Sequence, residues 1–197
     1  MNPSYTFNYT INGDARNFIH LPDGRTITYA SLEKGKIDGV EIVTHEVHSD
    51  RRGWLMEIYR ADSHQEGDYM KGLDPWGREP APYDWQVYSS AVYKGVVKAF
   101  HCHQEQNDYV TCVYGKVWMV LVDTRKGSDS YLSYMEIPMG GANSVSVLIP
   151  SGVWHGWMGL AEESVVINIP DNLYNHEEPD EQRMPPHSFY NWREIDG

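Results

Sequence analysis

The chain is short of cysteine, of positive charge and of long apolar runs, and each shortage removes a class of protein. Two cysteines, Cys102 and Cys112, in 197 residues exclude a disulfide framework and read most simply as buried thiols. Sixteen Lys and Arg stand against 28 Asp and Glu, a formal charge of −12. Nucleic-acid binding is driven by phosphate neutralisation, so this balance argues against DNA or RNA as partner. It does leave local cations for one small anionic ligand, with Arg51, Arg52, Lys94 and Lys98 as candidates. No apolar run approaches the roughly 18 residues that span a bilayer. The N-terminal Met-Asn-Pro-Ser-Tyr-Thr-Phe-Asn lacks the basic and apolar regions of a signal peptide. The expectation is a soluble, cytoplasmic protein with no membrane partner.

Helical periodicity is missing too, at least before the tail. Hydrophobic content is 41% and aromatic content 13%, with seven Trp and fourteen Tyr, a composition that favours strands. Short runs between Gly, Pro and Asn turns read as strands over 5–11, 26–29, 40–47, 54–60, 85–92, 95–100, 109–114, 117–123, 144–150 and 163–169. Val117-Trp-Met-Val-Leu-Val-Asp123 is apolar on both faces, so it should be a central strand covered on each side. Residues 61–84, rich in Gly, Pro and charge, read as a long loop of the kind that is often functional. The acidic, proline-broken tail from Tyr174 should wrap the surface and end on Phe189-Tyr-Asn-Trp192. Such a pattern describes an all-β sandwich or barrel.

Chemistry concentrates in one stretch. Gly95-Val-Val-Lys-Ala-Phe-His101-Cys-His103-Gln-Glu-Gln-Asn-Asp108 ends its apolar continuation at Gly115. Residues i and i+2 of a strand share a face, so His101 and His103 can aim at one point. Pro150-Ser-Gly152-Val-Trp-His155 offers a third imidazole behind a turn. His101, His103, Asp108 and His155 together would suit a divalent transition metal. Glu57, set among apolar neighbours, is a ligand group or a satisfied structural acid.

The spacing Gly-x5-His-x-His-x4-acid-x6-Gly, followed by Pro-x-Gly-x2-His, resembles the two motifs of the cupin superfamily. The resemblance implies a double-stranded β-helix, or jelly-roll barrel, here over residues 40–192. Residues 1–39 would then be an N-terminal arm and 193–197 an irregular C-terminal tail. Asp108 stands where cupins usually carry Glu, and Gly159 where the second motif usually ends in Asn.

A closer resemblance rests on several segments in one order. Asp50-Arg-Arg52-Gly-Trp-Leu-Met-Glu57, Gln86 before Gly95-Val-Val-Lys98-Ala-Phe-His101, and Gly115-Lys-Val through Asp123-Thr-Arg125-Lys-Gly-Ser are three of them. Ile149-Pro-Ser-Gly-Val-Trp-His155-Gly and Leu173-Tyr174-Asn complete the set. Together they resemble the dTDP-4-dehydrorhamnose 3,5-epimerase family. The resemblance implies a nucleotide-diphospho-4-keto-6-deoxy sugar as substrate, proton abstraction beside the ketone with 3,5- or single-centre epimerisation, no required cofactor, and a homodimer. By position, His101 matches the catalytic base and His155 a second pocket histidine. Arg52, Glu57, Gln86, Lys98 and Tyr174 fall on substrate-contacting positions, with Lys98 replacing the usual Arg and losing its bidentate fork.

Asn168 is the main departure. It falls where the family carries the tyrosine that protonates the opposite face, and an amide cannot deliver that proton at neutral pH. Asn168 is therefore expected among the substrate-binding residues, with Tyr88, Tyr109 and Tyr174 as candidate substitute acids. The carboxylate that orients the base in the family has no counterpart in this chain, so Asp108 or Glu57 is expected to replace it. Ala99-Phe-His-Cys-His103 also resembles the sugar-nucleotide 3,4-ketoisomerases, in which paired histidines move protons, and this gives His103 a catalytic use. A metal-dependent cupin enzyme and a non-catalytic sugar-nucleotide-binding relative are the other readings.

Overall fold

The computed structural model describes residues 18–59 and 86–192. The strand expected over 5–11 and the loop expected over 61–84 lie outside the described residues. The chain runs through β1 (Phe18–His20), β2 (Thr26–Thr28), β3 (Glu33–Lys34), β4 (Glu41–Thr44), β5 (Val47–Asp50) and β6 (Gly53–Met56). It continues through β7 (Tyr88–Tyr93), β8 (Val97–Cys102), β9 (Asp108–Tyr114), β10 (Lys116–Asp123) and β11 (Ser133–Gly140). The last strands are β12 (Val145–Ile149), β13 (Val153–Gly159), β14 (Glu163–Pro170) and β15 (Gln182–Arg183). Among the described residues there is no α-helix, only a 3-10 turn at Tyr29–Ser31.

Two sheets carry the fold. One has the order β15-β8-β13-β10-β11-β3 and the other β4-β12-β9-β14-β7. Sequence neighbours are repeatedly split between the sheets, as in β7 and β8 or β9 and β10, which is the jelly-roll pattern. Alternation decides which side chains face inward. Val117, Met119 and Leu121 of β10 join Val110 and Cys112 of β9, Val145, Val147 and Ile149 of β12, and Val166 of β14 in the core between the sheets. Val120 and Val122 of the same β10 face outward into a second core. The expectation that this strand is covered on both sides holds.

The outer cover is built from both ends of the chain. Ile19, Leu21 and Ile27 of the β1–β2 hairpin and Met184, Phe189, Tyr190 and Trp192 of the tail pack on Phe100, Val120, Val122 and Trp154. Phe189 meets Phe100 edge-on at 5.1 Å between centroids and lies 5.5 Å from Trp154.

The strands differ from the expected ones in several places: β1, β3 and β15, of two or three residues each, are not among those expected, and the strand expected over 54–60 ends at Met56. The run 40–47 divides into β4 and β5, because after His45, whose amide still bonds the Ser144 carbonyl at 2.8 Å, the chain leaves β12 to form its own hairpin. β11 escapes notice because Pro138 interrupts it; only Ser133 and Tyr134 pair with β3, so Pro138 has an open side and no ladder bond to lose. β13 is concealed by Gly156 and Gly159, residues of low strand propensity. Both permit close approach. A Cβ at Gly156 would overlap Ala99 of β8, and one at Gly159 would overlap the Tyr93 carbonyl. That contact explains why glycine stands at 159.

Candidate active site

One end of the space between the sheets is polar. From the six-stranded sheet, β8 and β13 set His101 opposite His155 in register, with ring centroids 5.7 Å apart and Trp157 6.1 Å from His101. The five-stranded sheet supplies Asp108 at the start of β9, Asn168 on β14 and Tyr88 on β7. Asn168 is the direct partner of both Tyr88 and Val110. Val166 and Val92, two and four residues along the same faces, lie in the inner core, so Asn168 and Tyr88 project inward.

Asp108 is the electrostatic centre of this end. It is 1% exposed, and its Oδ1 accepts hydrogen bonds from Gln106 Nε2 at 2.8 Å and Asn168 Nδ2 at 2.7 Å. Its Oδ2 lies 3.4 Å from His155 Nε2 and 3.6 Å from His103 Nε2. The Nδ1 atoms of both rings face carbonyls, His155 that of Val153 at 3.1 Å and His103 that of Asp180. Carbonyls only accept, so each Nδ1 carries the proton, and each neutral ring then presents an Nε2 lone pair to the carboxylate. Those three atoms attract one another only if a positive charge, a proton or a cation, lies among them. His103, Asp108 and His155 bring one ligand atom each to within 4.8 Å of one another. His101, expected as a fourth ligand, is outside that set.

His101 is different in kind. Burial, with repulsion from His155, Arg183 and His103, pushes its imidazole down to about 3 against a weaker pull from Asp108. The ring is therefore neutral near pH 7, with a free lone pair. Burial likewise holds His155 below its ordinary range, against the attraction of Asp108. Asp108 contacts His155 and His103, so the expectation that it orients His101 directly is corrected; Arg183 is the strand partner of His101 instead.

The other expected site residues divide into two groups. Lys98 lies inside, where its Nζ donates to Ser90 Oγ at 2.7 Å across the β7–β8 turn. Gln86 accepts from the Tyr174 backbone amide at 2.7 Å, tying the tail to the head of β7, and the Tyr174 ring stacks edge-on against His176 at 4.8 Å. Arg52 is elsewhere. It occupies the tip of the β5–β6 hairpin with its side chain 83% exposed and bound to Asp50 at 2.5 Å, and Glu57 is exposed just after β6. Tyr109 is corrected as a substitute acid: it faces outward with Leu148 and Ile169, because it follows inward-facing Asp108 by one residue.

Asp180 escaped the sequence reading. Its carboxylate accepts the backbone amides of Gln104, Glu105 and Gln106 at 2.9, 2.8 and 2.9 Å, while its carbonyl holds His103. A partner 77 residues from His103 leaves no local signal; only the acidity of the tail hinted at it. Both cysteines are buried and free, with burial pushing Cys102 up to about 12 and Cys112 to about 11, so neither is a reactive thiolate.

An all-β jelly roll with clustered histidines and a buried carboxylate between its sheets defines a cupin-type protein. The model of the dTDP-4-dehydrorhamnose 3,5-epimerase family matches residues 34–185, and the chain belongs to that family. A probable low-salt glycan biosynthesis epimerase of Haloferax volcanii is 34% identical over 76% of this chain and 88% of its own. The spore coat polysaccharide biosynthesis protein SpsL of Bacillus subtilis is 35% identical over 76% of this chain and 89% of its own. Among solved structures, NovW of Streptomyces spheroides, a 4-keto-6-deoxy sugar epimerase, aligns with a TM-score of 0.63 at 27% identity, covering 79% of this chain and 73% of that one. A dTDP sugar isomerase of Desulfovibrio desulfuricans shares the fold at a TM-score of 0.65 and 20% identity, over 80% and 92%.

Proposed function

We propose that the protein epimerises a nucleotide-diphospho-4-keto-6-deoxy sugar, at C3 and C5 or at one of them, with His101 as the base. The observation that supports this most is the placement of His101, a half-buried imidazole set in register opposite His155 at the polar end of the space between the sheets. A ketone at C4 acidifies the neighbouring C–H bonds, because the electron pair left behind delocalises onto the carbonyl oxygen. His101 removes the proton, and the enolate oxygen needs a donor held in a dry site. Lys98 and the pocket end of Gln86 are suited to the sugar or its diphosphate. Only protons move, so the reaction requires no cofactor. The test is incubation with a dTDP-4-keto-6-deoxyhexose in D2O, following the C3 and C5 protons by NMR. Deuterium should enter at the inverted centre; absence of exchange with every 4-keto sugar nucleotide tried would refute the assignment.

A second reading is favoured by the facing lone pairs of His103, Asp108 and His155. We propose that this trio holds a divalent ion such as Zn or Mn beside the base; its positive charge would satisfy all three groups and attract the enolate oxygen. The donor set fits, two imidazoles and one carboxylate whose second oxygen is already fixed by Gln106 and Asn168. Elemental analysis of protein prepared without chelator should find about one equivalent. A metal-free protein with unchanged activity would assign the positive charge to an imidazolium proton.

The β5–β6 hairpin supports a homodimer. It exposes Trp54 and Leu55, at 58% and 64%, next to Arg52 and Glu57, so the substrate contacts expected of this segment would be completed in an assembly. Sedimentation at two protein concentrations, with Trp54→Ala/Leu55→Ala as the monomeric control, tests it.

A further inference from the structure

We infer that Tyr88 supplies the proton that Asn168 cannot, making Tyr88 the catalytic acid on the face of the sugar opposite His101. The inference rests on the epimerase reading and identifies the second half of its proton relay.

The placement follows from strand geometry. Asn168 on β14 and Tyr88 on β7 are a directly opposed pair, and directly opposed side chains share a face with Cβ atoms about 5 Å apart. Asn168 reaches the interior, since its amide nitrogen binds buried Asp108 at 2.7 Å. Tyr88 must enter the same space one strand over, and its hydroxyl is buried there. A phenolic hydroxyl on β7 can thus occupy the region that a longer side chain at 168 would fill from β14. The two positions carry one tyrosine and one asparagine between them.

The β7–β8 turn fixes what stands opposite. Near the turn, Lys98 of β8 bonds Ser90 of β7 at 2.7 Å, so the two strands are in contact at that level. Moving away from the turn, the next inward residue on β7 is Tyr88 and the next ring on β8 is His101. The base belongs to the inner face of one sheet and the phenol to the inner face of the other. The two groups therefore face each other across the space between sheets packed about 10 Å apart. Burial, with the nearby Tyr174 hydroxyl and Asp108 carboxylate, raises the Tyr88 phenol above its ordinary range, which keeps it protonated near pH 7.

The steps balance. His101 takes the proton from the carbon beside C4, and the C–H electron pair becomes the enolate π bond as the carbonyl pair moves to oxygen. The enolate then collapses: the C4 carbonyl reforms, and the carbon takes a proton from the Tyr88 O–H on the opposite face. The resulting phenolate and imidazolium exchange one proton with water once the product leaves, restoring both groups.

Abstraction and delivery can be separated experimentally, because His101 alone can exchange a proton without inverting the centre. In D2O, with a dTDP-4-keto-6-deoxyhexose that the unmodified protein inverts, Tyr88→Phe should lower inversion by about 100-fold or more while wash-in of deuterium with retention persists within about threefold. The double variant Tyr88→Phe/Asn168→Tyr should recover part of the inversion. Inversion by Tyr88→Phe at the unmodified rate would overturn the inference, as would a folded Tyr88→Phe that loses exchange and inversion equally. If Tyr88→Phe does not fold by circular dichroism, 3-fluorotyrosine at position 88 decides. It preserves size and donor but acidifies the phenol, so the inversion rate changes if Tyr88 delivers the proton and is unchanged if it only packs. Failure of the unmodified protein to exchange any proton would sink the epimerase reading itself, a distinct outcome.

Discussion

The two sheets carry similar inner faces and opposite outer ones. Outside the six-stranded sheet lie the β1–β2 hairpin and an aromatic tail, sealing Phe100, Trp154 and Val120 from water. Outside the five-stranded sheet, among the described residues, there is a small cluster of Tyr109, Leu148 and Ile169, while Tyr93 and Tyr114 are exposed. The sheet that holds His101 and His155 is thus clamped from both sides, and the sheet that offers Tyr88 and Asn168 is clamped mainly from within. The base proposed here stands on the covered sheet, and through Asp180 the covering tail also fixes His103.

The largest expected effect breaks the chemical side of this contrast. His101→Asn should reduce epimerisation by about 10²–10⁴-fold, the usual worth of a positioned general base, with nucleotide-sugar affinity by calorimetry within about threefold. The structural side breaks next. Phe189→Ala removes a ring packed against Phe100 and Trp154 and should cost about 3–5 kcal/mol in urea unfolding.

Asp123 is a further test, since the Asp123-to-Arg125 motif proves to be structural. Fully buried at the end of β10, its carboxylate binds Arg125 at 2.9 Å and the hydroxyls of Ser128 and Ser130 at 2.6 Å each. Burial alone would raise this carboxyl, but the hydrogen bonds from Arg125, Ser128 and Ser130 outweigh it and hold it below its ordinary range. Asp123→Ala should cost about 3 kcal/mol by stranding a half-buried guanidinium. The sign of the pH effect follows from the depressed value. Stability from Asp123 is complete above the unfolded carboxyl value of about 3.9 and is lost as pH falls through the lower folded one. Acid titration of the unmodified protein should therefore show a loss below pH of about 4 that Asp123→Ala lacks.

Asp180→Ala, which frees three amides at the protein surface, should cost about 1 kcal/mol and slow turnover through misplacement of His103, seen as a fall in kcat with little change in KM. The smallest effect sharpens the contrast from the other side. Tyr93→Ala, at a position 62% exposed on the five-stranded sheet, should stay within about 0.5 kcal/mol in the same unfolding assay.

Much of the fold was legible because its signals are local. A strand apolar on both faces, such as 117–123, needs cover on both sides wherever it sits, and alternation separates His101 from its neighbours Phe100 and Cys102, which face the outer core. Of the strands absent from the expected set, the two long ones, β11 and β13, carry Pro138, Gly156 and Gly159. These residues weaken strand propensity and are tolerated because of what lies beside them, an open edge in one case and a close backbone in the other two. The site was legible in its histidines and illegible in its connections. Nothing within the chain's own spacing says that Asp108 faces His155 and not His101, that Tyr109 points away, or that Asp180 reaches back across 77 residues to His103.

The amino-acid sequence by itself determined the all-β class, the family, and the identity of the imidazoles, because composition, periodicity and ordered motifs are properties of neighbouring residues. Tertiary structure alone decided which groups meet: the pairing of Asn168 with Tyr88 across β14 and β7, the trio around Asp108, and the tail over the outer face of the six-stranded sheet. Those depend on register between distant strands, where a shift of one residue would turn every side chain to the other face.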